Sequence, residues 1–108
     1  MANTFKLKTK KNVGVTTASV YVAPSSTTTV VIGITASNIS GNNINVGIGI
    51  TRASADDIHL MKNVPIPQGS SFEFMSGNKV VLETTDTITA KSDVASSLDI
   101  ALTIMEIT

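Results

Sequence analysis

Leu98, Ile100, Leu102 and Ile104 recur at every second position, with Asp99, Ala101 and Thr103 between them. Alternate side chains of a strand point to opposite faces, so residues 98–108 read as one half-buried strand. A helix would need apolar residues three and four apart, and this period excludes it. The same rhythm recurs in residues 4–9, in residues 44–51 through Ile44, Val46, Ile48 and Ile50, and in residues 71–75. Twelve Ile, eleven Val and fifteen Thr supply side chains that are stiff at χ1 and fit a pleated surface. The fold class is all-β.

Between these runs lie turn signals. Ser40-Gly41-Asn42-Asn43 tolerates positive φ, which predicts a hairpin over residues 27–51. Val30-Val31-Ile32-Gly33-Ile34 reads as a central strand buried on both faces, with Gly33 at a bulge. Lys10-Lys11-Asn12 is expected to break the opening strand. Pro65 and Pro67 end another, in a stretch that crosses between sheets or runs along an edge. Residues 76–78 turn the chain back from residues 71–75 toward residues 79–83. Eight or nine short strands at this spacing predict an antiparallel β-sandwich of jelly-roll type in one domain, residues 1–108. Residues 1–12 either open that sandwich or extend from it as an arm.

The net charge is zero, but it is unevenly spread. Residues 1–55 hold five bases and no acid, whereas residues 56–108 hold three bases and eight acids. Two interleaved halves would neutralise each other within one sandwich; a basic edge would otherwise dock on an acidic neighbour. There is no cysteine, so neither a disulfide nor a thiolate metal site is available. The opening residues lack the regions of a signal peptide, and no apolar run approaches the roughly 20 residues of a membrane helix.

Catalytic constellations are thin. His59 is the one histidine, beside Asp56 and Asp57, and a metal centre needs at least three convergent ligands. Hydroxyls are plentiful, but no nucleophile elbow and no second base accompany them. Glu73, Glu83 and Glu106 sit at alternating strand positions, where solvated faces carry charge. The expectation is a protein without catalytic residues, cofactor or metal. Lys6, Lys8 and Lys10 share a strand parity and form a ridge about 13 Å long, with Lys11 beyond it. Only Phe5 and Tyr21 lie near it to stack on bases, so protection of a sheet edge is the favoured role and nucleic acid is not the expected partner. Asn45, Gly47 and Gly49 leave one strand face almost bare, open to a broad partner. Phe72 and Phe74 are a second interface candidate whose simpler role is core packing.

Three stretches carry a resemblance: residues 63–71, residues 79–88 and residues 97–107, with residues 1–5 and 28–34 consistent with it. Together they resemble small structural proteins of tailed bacteriophages, notably those of cyanobacteria. The resemblance implies a β-sandwich or jelly-roll subunit that oligomerises, with a trimer favoured. Its expected place is the virion, as a capsid cement or decoration protein bound to major capsid subunits. A tail, neck or fibre component with a receptor- or glycan-binding role, using loops 52–57 and 92–97, is the competing form. Assembly would occur in the host cytoplasm, with no membrane involved.

Overall fold

In the computed structural model, which describes residues 3–52, 56–74 and 79–108, the chain forms nine strands. They are β1 (Asn3–Val13), β2 (Ala18–Val22), β3 (Thr28–Asn38), β4 (Ile44–Thr51), β5 (Ile58–Ile66), β6 (Ser71–Phe74), β7 (Val80–Leu82), β8 (Thr87–Ser92) and β9 (Leu98–Ile107). One sheet runs β1-β9-β3, with β6 and β7 sharing the far flank of β3. The other runs β2-β8-β4-β5. All pairings are antiparallel.

Four of these ladders nest: β1 with β9, β2 with β8, β3 with β6, and β4 with β5. The chain therefore behaves as a long hairpin whose paired arms wrap alternately onto two sheets, which is the jelly roll expected from sequence. The core lies between the sheets. Leu98, Ile100, Leu102 and Ile104 of β9 face Ile44, Val46, Ile48, Ile88 and Ala90 across it, all at most 2% exposed.

Several local expectations are corrected. Residues 27–51 do not form a hairpin, because β3 belongs to the first sheet and β4 to the second. Each strand has one strongly apolar side, and an arch lets both sides face the same interior; a hairpin in one sheet would leave the second layer without β4. The hairpin partner of β4 is β5. Nor is β3 buried on both faces, since alternate residues from Thr28 to Ser37 are exposed or half-buried. The bulge near Gly33 is present, between Val31 and Gly33. β1 continues through Lys10-Lys11-Asn12 on a bulge, with Asn12 at φ 56°. Residues 3–12 are thus part of the sheet and not a free arm. β6 and β7 each pair with β3 and not with each other; the turn assigned to residues 76–78 lies outside the described residues. β5 passes through Pro65, as an edge strand permits, because no neighbour needs that missing N–H.

The arch between β3 and β4 is locked by buried Asn38. Its Nδ2 donates to the carbonyls of Asn42 (2.7 Å) and Ile66 (3.0 Å). Its Oδ1 accepts from the amide of Ser40 (2.9 Å) and from the Ser40 hydroxyl (2.8 Å). Both donors and both acceptor positions of the amide are filled, so no other side chain of this size serves. Asn38→Ala should cost about 1–3 kcal/mol in denaturant unfolding. Asn38→Asp should cost more, because it sets a carboxylate against two carbonyl oxygens. Equal stability of the two variants would refute this account of the corner.

Candidate functional site

Residues directly opposed in an antiparallel ladder share a face, which fixes the orientation of β1. Lys6, Lys8 and Lys10 oppose Ile104, Leu102 and Ile100, so the three lysines stand on the inner side of the sandwich rim. Phe5 and Leu7 oppose Met105 and Thr103, so they stand on the outer side, 69% and 65% exposed. The strand thus turns its charges inward and its largest apolar groups outward. Inward-pointing lysine is a known defence of a sheet edge, since an added strand would have to bury it.

Lys6 is held in place. Its Nζ lies 2.8 Å from Oε1 of Glu106, whose side chain is only 8% exposed. The Tyr21 hydroxyl donates to Oε2 of the same carboxylate at 2.6 Å. With its one proton so used, Tyr21 accepts from the Thr29 hydroxyl at 2.8 Å. The Lys6 ammonium foremost, then the Tyr21 hydroxyl, hold the Glu106 carboxyl below its ordinary 4.5 against the opposing effect of burial. Burial first, and then the bond to Glu106, push the Tyr21 phenol up to about 12. The sequence reading placed Glu106 on a solvated face. It lies inside, because it continues the parity of Leu98, Ile100, Leu102 and Ile104.

The opposite charges of the two halves do meet within one sandwich. Every described ion pair joins a base from residues 1–55 to an acid from residues 56–108: Lys6 to Glu106, and Arg52 to Glu83 (2.8 Å) and Asp86 (3.2 Å). Asp86 also accepts the Glu83 amide at 2.9 Å, so Arg52 clasps a turn that is already closed. Lys8, Lys10 and Lys11 have no ion-pair partner among the described residues.

The other candidates fall in separate places. Asn45, Gly47 and Gly49 lie on the outer face of the second sheet, where the two glycines floor an open groove of about 470 Å³. Asp57, His59 and Lys62 wall it on one side, and Thr89, Lys91 and Asp93 on the other. Gly49 has a structural reason to be glycine, because a Cβ there would approach the Ile58 carbonyl oxygen to 2.8 Å. Asn45 is bonded to Asp93 through its amide (2.9 Å) and its side chain (3.3 Å). Phe72 opposes Ala36 at the rim of the core, 39% exposed. Phe74 opposes Ile34 along the backbone. The loop after β8 is tied to itself by the Ser92–Ser97 hydroxyl pair (2.6 Å) and by Ser97 donating to the Val94 carbonyl (2.7 Å). In loop 52–57, residues 53–55 lie outside the described residues. Among the described residues no cluster of three His, Cys, Asp or Glu side chains is placed to hold a metal ion.

What the sequence reading missed is the outer face of the first sheet. Val81 opposes Val30, Val30 opposes Met105, and Met105 opposes Phe5, so one apolar row crosses four strands. Val81 is 58% exposed at its far end. The alternation of residues 4–9 suits a strand whose wet face carries Lys6 and Lys8 and whose dry face carries Phe5 and Leu7; the structure reverses this, because the register with β9 turns the lysines toward its buried residues.

No family model matches the chain, and no curated protein matches it. Among solved structures, one chain of the Bacillus endospore appendages, described as a novel family of disulfide-linked pili, aligns with a TM-score of 0.60. The match covers 99% of this chain and 87% of that one at 15% identity. That likeness is one of fold.

Two titrations follow from the Lys6–Glu106–Tyr21 network. Glu106 has a lowered folded pKa, so its stabilisation is full above 4.5 and is lost as the pH falls through the lower folded value. Tyr21 has a raised one, so its stabilisation is full below 10.0 and is lost as the pH rises toward about 12. Glu106→Gln should cost about 1.5–3 kcal/mol at neutral pH and flatten the acid limb of stability against pH. Tyr21→Phe should flatten the alkaline limb. Urea midpoints across pH test both, and unchanged limbs in the variants would refute the assignment.

Proposed function

We propose that this chain is a non-enzymatic structural subunit that works by adhesion within a larger protein assembly. In its most specific form it is a virion cement or decoration protein that binds and stabilises neighbouring major capsid subunits. The observation that carries the adhesive reading is the outer face of the first sheet, where Phe5, Leu7 and Val81 stand in water on a rigid, hydrogen-bonded surface. Contiguous exposed apolar surface of that kind marks interaction sites on soluble proteins. The capsid form rests on the sequence resemblance to tailed-phage structural proteins, which also supplies the expectation of a homo-oligomer.

A second reading is a tail, neck, fibre or other appendage component. The fold likeness to a pilus subunit favours it. In either case the absence of cysteine leaves contacts between copies or partners without disulfides, so adhesion rests on non-covalent contacts.

Quantitative mass analysis of purified particles separates the two. Hundreds of copies per particle are expected of a cement protein, and a few to tens of a tail or appendage part. Particles assembled without the chain should burst at lower temperature. Unchanged particle stability would remove the clamping role, and absence from the particle fraction would remove the structural reading.

A further inference from the structure

Across β1, β9 and β3 the four rows of side chains from Asn3 to Thr9 carry no charged residue; on the flank Glu73 holds one corner, and Lys79 and Glu83 bracket Val81 at its own strand parity. A strongly charged partner has nothing to match on those three strands. At about 3.3 Å per residue and about 4.8 Å per strand, the patch measures about 400 Å² in projection. Protruding side chains raise the accessible area, so two such patches together bury on the order of 1,000 Å², the lower bound for a specific interface.

We propose that the outer face of the first sheet docks on the same face of a second copy of this chain. Resting on the reading of the chain as an adhesive subunit, this names its first partner. The face is complementary to itself. A two-fold axis along the strands, between β9 and β3, reverses the order of the apolar row. Phe5 then stands over Val81 of the second copy and Met105 over Val30, so a large side chain meets a small one in every pair. The same rotation sets Glu73 over Thr9 of the second copy, two residues before Lys11, which has no ion-pair partner among the described residues. Glu73 thus lies near the basic end of β1 in the second copy. The inward lysines Lys6, Lys8 and Lys10 bar the free edge of β1 from accepting a further strand, which leaves the face as the route of association.

The cysteine-free sequence makes the test direct. Phe5 and Val81 of one chain are three strand spacings, about 14 Å, apart. A bis-maleimide about 10 Å long therefore joins the thiols of an F5C/V81C variant only between copies. Val22→Cys on the other sheet serves as the control for random encounter, since Val22 is exposed there. The expected result is concentration-dependent dimer in sedimentation, cross-linking of F5C/V81C at least tenfold above V22C, and dimerisation weakened at least tenfold by Leu7→Glu with thermal stability unchanged. A mass of one chain at every concentration, a mass of three chains, or cross-linking no higher than V22C overturns the proposal. If those results come with normal copy number on particles, the docking alone fails. If the dimer forms through this face but the chain is absent from particles, the docking stands and only the structural role fails.

Discussion

β9 is hydrogen-bonded along both flanks, to β1 and to β3, while its inner side chains Leu98, Ile100, Leu102 and Ile104 are closed to water. Its last inward residue, Glu106, then binds Lys6 of the edge strand and Tyr21 of the opposite sheet. One strand therefore ties together the rim, the first sheet and the second. A carboxylate taken out of water is costly unless it is paired and hydrogen-bonded, and here an ammonium and a hydroxyl supply both. The consequence is positional: β1, which has no other strand neighbour, is anchored at its Lys6 end by charge and elsewhere by its ladder.

The parity rule carried most of the fold. It located β9 and β4, the alternation of β1, and a sandwich of eight or nine strands, because a period of two reports burial on one side of any strand. It could not say which strands share a sheet. A turn such as Ser40-Gly41-Asn42-Asn43 serves a hairpin and an arch alike; the difference lies in Asn38 and its contact with the Ile66 carbonyl, 28 residues away. Glu106 was legible and was misread: its parity placed it inside, but charge alone suggested solvent. Lys6, Lys8 and Lys10 were correctly grouped on one side. Which side that was depended on pairing with β9, and no local feature of residues 3–13 records it.

β1 also inverts the usual division of labour on a surface strand. Long lysine stems can lie against apolar neighbours while their heads reach water at the rim, so an inward lysine at an edge is tolerated. Phe5 and Leu7 have no such option, and both are largely exposed on the outer face. The glycine strip of β4 is a contrasting case. It seemed bare from sequence, yet Gly49 answers to the close approach of the Ile58 carbonyl.

The nesting of the ladders has a kinetic corollary. On a ribosome adding about 5–20 residues per second, β1 emerges first and its sole strand partner, β9, emerges last of the nine, so β1 waits several seconds unpaired. During that interval Phe5 and Leu7 belong to a nascent peptide with no sheet beneath them. Lysines at every second position give the waiting peptide mutual repulsion and solubility, the office of gatekeeper residues. The same three charges thus guard the newborn chain before they guard the finished edge.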